Sequence, residues 1–485
     1  MSAAILRHPA YLEWPADPRD RLPLTLWDAR TIAEAVGGTA SGDFQVSGVE
    51  MDSRDVVNGD LFVALKGEAM DGHRFLDKAF ENGASAAIVD RPVDYPHILV
   101  DDTTEALRKL AAASRARTDA KIIGVTGSVG KTGVKEAIFA ALERASRGAA
   151  HRSTRSYNNH VGVPLSLARM PARSRFGIFE MGMNHAGEIE GLTTQVRPHV
   201  AVITTIAPAH IENLGSMEAI ADAKAEIFAG LEPGGIAVIP ADSEYYEQLR
   251  TAAEKLGAKV VSFGRARHAD MRLLDAIPSA NGGSLVTCEF PEGRLCYTVA
   301  EPGDHWVTNS LAVMATVRAA KGDLAAAGLA LAEMGGLKGR GARHGIDVPG
   351  GKALLIDESY NANPASMRAT LAQLGQTPST RRIAVLGSMK ELGDFADKFH
   401  GQLSEPLIAA DVDYALLVGD EMRALARELG KPAFNSLGKP LEWEHCNSAD
   451  EAIELIEEFG IVAGDAVLVK GSNSVGLGKL VDHFT

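Results

Sequence analysis

At 485 residues the chain exceeds what one hydrophobic core serves, so roughly two to four domains are expected. With 46% apolar and 23% charged residues it has the composition of a soluble globular protein. Its formal charge of −14 excludes a general nucleic-acid binder, which needs a basic face, but not an anionic small substrate.

Residues 1–24 are polar and proline-punctuated, with only Ala3 to Leu6 apolar. That is no secretory signal, and no apolar run approaches the roughly 18 residues needed to span a bilayer. Cys288, Cys296 and Cys446 lack metal-ligand spacing and cannot build a disulfide framework. A cytoplasmic protein in a reducing compartment, not inserted in a membrane, is expected.

The first block is 1–100. A short helix over 28–36 is stopped by Gly37-Gly38, and apolar runs at 44–49, 61–65 and 86–89 predict strands. Here Arg54, in Asp52-Ser53-Arg54, suits either a phosphate or a neighbouring carboxylate, and His73 is a second candidate for reading charge. Asp101 to Thr104 then reads as a helix cap.

The second block, 101–336, begins with a helix through Arg115 and reaches the most informative stretch of the chain. The apolar run 122–125 ends in Thr126-Gly127-Ser128-Val129-Gly130-Lys131-Thr132, and Val134, Ile138 and Leu142 follow at helical spacing. Strand, phosphate loop and helix are implied: glycines let N–H groups converge on an anion, and the helix N-terminus adds partial positive charge. Lys131 can reach the β- and γ-phosphates and the Thr132 hydroxyl suits Mg²⁺, although Val125 stands where the usual pattern has its first Gly. Strands at 176–179, 200–206 and 236–239 alternate with helices near 217–230 and 244–256, which predicts a parallel sheet with ligands beyond its carboxyl ends. The glycines and prolines of 268–300 predict hairpins, and two Ala-rich helices, 308–320 and 322–334, close the block.

A linker at 335–341 leads to the third block, 337–485. Strands at 353–357, 382–386, 414–418 and 466–470 alternate with helices near 364–374, 396–409, 420–429 and 448–458. This is a second doubly wound, Rossmann-like sheet without a G-x-G-x-x-G. The fold class expected is therefore α/β, in three domains.

Several side chains have the right chemistry in the right place. Glu180 follows the 176–179 strand beside the phosphate loop, where a carboxylate can hold Mg²⁺. His210 lies just past the 200–206 strand; because Mg²⁺ prefers oxygen, spacing alone favours a hydrogen-bonded loop histidine. Lys224 sits among Glu218, Asp222 and Glu226 and reads locally as a solvated, salt-bridged lysine. The loop 156–164, with Asn158 and Asn159, either binds a ligand or caps a helix. The loop 357–364 has more hydrogen-bonding side chains than capping needs.

Together these residues resemble the Mur ligases, which build the peptidoglycan stem peptide. The resemblance runs through the phosphate loop with Lys135-Glu136, Asn158-Asn159-x-x-Gly162-x-Pro164, Glu180-Met181-Gly182, Ala209-His210, Ala223-Lys224-x-Glu226-Ile227 and Gly303-x-His305-x-x-x-Asn309. Ser359 to Pro364 and Gly387-x-Met389-x-Glu391-Leu392-Gly393 resemble the member that adds the terminal dipeptide, and there is no Asp-Asn-Pro-Arg of the members that add diaminopimelate. The late motif keeps Lys470-Gly471-Ser472 but has Asn473 for its arginine and Gly478 for its acidic residue.

The resemblance implies a monomeric ATP-dependent amide ligase joining D-Ala-D-Ala to a UDP-N-acetylmuramoyl-tripeptide through an acyl phosphate. It implies that 126–132 bind ATP with Asn309 on adenine and Arg340 and Asp357 reaching in from the third block. Thr132, Glu180, His210 and a CO₂-carbamylated Lys224 would hold Mg²⁺, two ions in all, and Lys131, Glu180, His210 and Lys224 would be catalytic. Ser53 and Arg54 would hold the uridine nucleotide; Asn158, Asn159, Asn361 and Asn363 would contact substrate. The alternatives are a relative adding a diamino acid or a glutamate, and a phosphate-loop ATPase that switches a partner.

Overall fold

The computed structural model describes residues 25–67, 70–279, 282–430, 438 and 441–485, and the lead-in through Pro23 lies outside them. Two compact units divide the chain: 1–119 with 164–174, and 120–163 with 175–485.

In the first unit the helix Ala29–Val36 starts at Asp28, whose carboxylate accepts from the Thr31 N–H, and ends on left-handed Gly37. Its five-stranded sheet runs in the order Thr39–Ala40, His97–Leu99, Ala86–Val89, Asp60–Val63, Gly48–Glu50 and is parallel apart from its first pair. Asp102 caps Thr103–Ala116 as expected, and that helix belongs to this unit.

The second unit carries two sheets. The larger has nine strands, and the phosphate-loop strand Lys121–Thr126 lies between Phe176–Glu180 and Val200–Ile203, all three parallel. The strand before the loop thus has its two neighbours on opposite sides, and in such sheets a crevice opens at that point beyond the carboxyl ends. Register places Glu180 level with Val125 and Ile203 level with Thr126. The predicted hairpins at 268–300 are three strands, Met271–Pro278, Ser284–Phe290 and Gly293–Val299, antiparallel to one another, of which the first joins the sheet edge in parallel. The helices Lys131–Ser146 and Asp304–Ala319 pack on this sheet, burying Val134, Ile138, Leu142, Leu311 and Val313.

The second sheet has six strands, in the order Ala342–Val348, Gly351–Glu358, Ala466–Lys470, Arg382–Gly387, Tyr414–Val418, Glu442–Cys446, parallel after an antiparallel first pair. Buried residues line both of its faces.

Several predicted elements differ in detail. The 396–409 helix is two, Ala396–Gly401 and Ser404–Ala409, because Pro406 fits only the first turn of a helix. The 217–230 helix becomes 3₁₀ from Glu226, and the 200–206 strand stops at Ile203. The Ala-rich helix expected from 308 begins one turn earlier, at Asp304.

Candidate functional site

The first unit presents Arg54 in a two-pronged pair with Asp52, at 2.9 and 2.6 Å. Ser53 is buried, and its carbonyl accepts from the Asn82 amide at 2.8 Å. His73 is buried too, with Nδ1 2.7 Å from Asp71 Oδ1 and Nε2 accepting from the Asp90 N–H at 3.2 Å. That cage fastens two loops and gives His73 a structural part.

The second unit builds the phosphate loop. Gly127 has φ +145, and a Cβ there would lie 2.0 Å from Thr204 Oγ1; Gly130, at φ +85, sits at the helix N-terminus against Asn309. Only glycine satisfies both positions. The Ser128 N–H donates to the Thr205 carbonyl at 2.8 Å, and Ser128 Oγ accepts from the Ala207 N–H at 3.0 Å, so the loop is tied to the end of the neighbouring strand. Lys131 Nζ donates to the Gly127 carbonyl at 2.6 Å. Burial pushes its ammonium below the usual lysine range; Glu180 opposes that shift and Arg340 adds to it.

Thr132 Oγ1 donates to Glu180 Oε2 at 2.9 Å, and Asn158 Nδ2 donates to Glu180 Oε1 at 2.9 Å. The structure therefore brings Thr132, Glu180 and Asn158 together beside Lys131, with Glu180 itself buried. Asn159 Oδ1 instead accepts from the N–H groups of Val161 and Gly162, at 3.2 and 2.9 Å, and caps the helix Gly162–Ala168.

Lys224 is fully buried, and its Nζ has no hydrogen-bond partner. The solvated, salt-bridged side chain expected from its neighbours is not what the fold makes. Burial drives its basicity well below the lysine range, with Lys131 adding to that shift; Glu226 and Glu188 oppose it. His210 takes a left-handed backbone, φ +57, and its Nδ1 comes within 2.5 Å of Glu391 Oε2 without hydrogen-bond alignment.

From the linker, Arg340 reaches Ser156 Oγ at 3.3 Å and stacks on the Tyr360 ring, 4.3 Å from its centroid. Asp357 is buried and accepts from the Gly339 N–H at 2.6 Å and the Ser359 hydroxyl at 2.6 Å. Asn363 Oδ1 caps Pro364–Gln376 by accepting from the Ser366 N–H, and the Asn361 carbonyl accepts from Lys470 Nζ at 3.0 Å. Among the described residues no three His, Cys, Asp or Glu side chains form a metal-holding group.

Sequence reasoning gave no part to Lys135, Tyr360 or Glu391. Lys135 appears in the sequence only in the Lys135-Glu136 pair that follows the phosphate loop, one turn past Lys131. The motifs that hold Tyr360 and Glu391 do not reveal what they touch, because their partners come from distant segments.

The Mur ligase middle domain matches residues 125–317, the Mur ligase glutamate ligase domain 346–473, and the Mur ligase family catalytic domain 45–115. A UDP-N-acetylmuramoyl-tripeptide–D-alanyl-D-alanine ligase of Rickettsia prowazekii is 31% identical over 471 residues, which are 95% of this chain and 100% of that one. The enzyme of that name from Escherichia coli is 34% identical over 459 residues, covering 93% and 96%. Among solved structures, MurF from Acinetobacter baumannii superposes with a TM-score of 0.80 at 30% identity, covering 96% of this chain and 99% of that one. MurF ligase from Thermotoga maritima in complex with ADP gives 0.71 at 25% identity, covering 90% and 96%. With near-complete matches above 30% identity, and a phosphate loop whose Thr132 meets Glu180 at the strand ends, the chain belongs to the Mur ligase family.

Proposed function

We propose that this ATP-dependent ligase joins D-alanyl-D-alanine to UDP-N-acetylmuramoyl-tripeptide through an acyl phosphate, in peptidoglycan precursor synthesis. The observation that carries the reading is the Thr132–Glu180 pair at the mouth of the phosphate loop, in a chain matched nearly end to end by enzymes named for this reaction. We assign residues 1–100 to the uridine nucleotide, through Ser53 and Arg54, 101–336 to ATP, and 337–485 to the incoming dipeptide, near Asn361 and Asn363.

A carboxylate is a poor electrophile, so the tripeptide carboxylate first takes the γ-phosphoryl group of ATP. The dipeptide amine then attacks the acyl carbon, and phosphate leaves from the tetrahedral intermediate. Lys131 sits where negative charge accumulates on the phosphoryl oxygens, and the loop N–H groups add to it. Asn309, which we assign to adenine, lies against the loop at Gly130. Arg340, braced by Tyr360, brings a second cation close enough to lower the basicity of Lys131.

The residues fit Mg²⁺. Thr132 and Glu180 offer hard oxygens already in contact, and Mg²⁺ is commonly held by one or two protein oxygens with phosphate oxygens completing its shell. Bound there, the ion would neutralise negative charge during phosphoryl transfer. Lys224 also fits its proposed modification: a buried amine with no partner and depressed basicity is a nucleophile for CO₂, and the carbamate would provide an anionic oxygen ligand. His210 would join a second ion.

A phosphate-release assay with the muramyl tripeptide nucleotide and a panel of amines tests the reading. Release should require D-Ala-D-Ala and ignore single amino acids and glutamate. ATP turnover indifferent to any amine would overturn it.

A further inference from the structure

Lys135 has no part in the reaction just described, yet its side chain is fully buried on the helix Lys131–Ser146, one turn beyond Lys131. Its Nζ lies 2.9 Å from the Ser153 carbonyl, 2.9 Å from the Arg155 carbonyl and 3.0 Å from Glu136 Oε1. The two carbonyls accept hydrogen bonds from the ammonium, and the Glu136 carboxylate pairs with its charge. A fourth oxygen, Glu180 Oε2, stands 3.8 Å from the same nitrogen, beyond a hydrogen bond but within ion-pair range.

The segment that Lys135 grips is the one that grips Glu180. Ser153 Oγ accepts from the Glu180 N–H at 3.2 Å, the Ser153 N–H donates to the Ile178 carbonyl at 2.9 Å, and Asn158 holds Glu180 Oε1. A buried ammonium is costly, and an apolar side chain would fill the same volume without desolvating a charge. The arrangement is explained if the charge itself is wanted at that point.

We propose that Lys135 is a positioning residue for the cation site: it gathers the 153–155 carbonyls, thereby sets Asn158, and with its own charge holds the Glu180 carboxylate facing Thr132. Outer-shell partners of this kind orient a ligand without touching the ion. The inference rests on Glu180 belonging to the cation site of the proposed function, and the test separates the two.

The experiment is calorimetric binding of ADP by the full chain across a Mg²⁺ titration, in wild type, Lys135→Met, Glu136→Gln and Glu180→Gln, with melting curves as the folding control. Lys135→Met should raise the Mg²⁺ midpoint about tenfold or more, the usual loss for an outer-shell partner. Glu136→Gln removes the carboxylate that shares the Lys135 charge and leaves the ammonium to pair with Glu180 alone, so the cation must compete with it and the midpoint again rises. A purely structural Lys135 would lower the melting temperature and leave the midpoint where it was. A folded Lys135→Met with an unmoved midpoint overturns the proposal, and if that variant does not fold, an unmoved midpoint in Glu136→Gln does so. Should Glu180→Gln itself leave the midpoint unchanged, the cation-site reading falls and the proposal with it. If Glu180→Gln moves the midpoint and the other two variants do not, only the role of Lys135 falls.

Discussion

His210 Nδ1 and Glu391 Oε2 meet at 2.5 Å, joining the loop that follows the strand Val200–Ile203 to the loop that follows Arg382–Gly387. Both residues are non-glycine with positive φ, +57 and +63, a conformation kept only where surroundings enforce it. The enforcement is visible: Ile211 and Ile220 share a buried cluster with Met389 and Leu392. The His210 imidazole beside it holds the Glu391 carboxyl below the usual range. With Glu391 half exposed, the pair contributes less than about 1 kcal/mol to stability. Glu391→Ala should therefore leave the melting temperature almost unchanged while hydrogen exchange quickens at 210–215 and 389–395. Unaltered exchange in both loops would show that the pair holds nothing together.

Lys131→Ala should remove product formation without removing the fold. The helix is held by Val134, Ile138 and Leu142, all fully buried and untouched by the change. Loss of a preorganised donor at developing charge costs about 10² to 10³ in kcat. Circular dichroism and single-turnover phosphate transfer check the two halves. Wild-type turnover in a folded variant would end the assignment of the loop.

How much of this was legible in the sequence depends on the range of the interaction. The phosphate loop is local: an apolar run, two constrained glycines and Lys-Thr suffice, and Glu180 follows from its place at a strand end. The Glu180–Asn158 contact depends on parallel pairing of separate strands, and His210–Glu391 on how the two sheets of one unit dock. Neither leaves a mark in periodicity. Lys224 shows the same limit more sharply, since its acidic neighbours at helical spacing describe a solvated face while tertiary packing buries it. The edge strand Ala342–Val348 was missed because only Ala342 and Ile346 along it are buried, so its alternation is faint.

Glu301 predicts a pH dependence. Burial pushes its carboxyl up to about 7, Arg343 opposing the shift and Glu358 reinforcing it. A carboxyl raised in the folded state binds its proton there while the unfolded chain has already released it. Stability therefore falls as pH rises from about 4.5 to about 7, and the penalty is complete above that. Its size is on the order of 1 to 3 kcal/mol. Glu301→Gln should flatten this slope in denaturant titrations at pH 5 and pH 8, with the larger gain at pH 8. Equal effects at both would mean that the group is ionised throughout.

Tyr360 should matter through Arg340. The ring supports the guanidinium at 4.3 Å and is itself partly exposed, so the stack is worth about 0.5 to 1 kcal/mol. Tyr360→Ala should raise the KM for ATP about two- to fivefold, the equivalent of that energy. Tyr360→Phe, which keeps the π face, should not. If the two variants behave alike, the phenol hydroxyl and not the stack is what counts.

Lys224 offers the most direct chemical test. Its Nζ is enclosed with no hydrogen-bond partner, and burial, with Lys131 adding to it, favours the neutral amine. A neutral amine adds to CO₂: nitrogen forms the new C–N bond, one carbonyl pair moves to oxygen, and the ammonium proton is lost to solvent. The product carries one negative charge in place of an unsatisfied donor, and Lys131 then becomes an attractive neighbour where it had been a repulsive one. Protein equilibrated with ¹³C-bicarbonate should show a carbamate carbon resonance that is absent from Lys224→Met and disappears on acidification, because protonation of the nitrogen releases CO₂. Activity should fall in CO₂-depleted buffer and return with bicarbonate. A folded wild-type protein that gives no such resonance under saturating bicarbonate would leave Lys224 an uncarbamylated amine, and the second cation would then lack its anionic ligand.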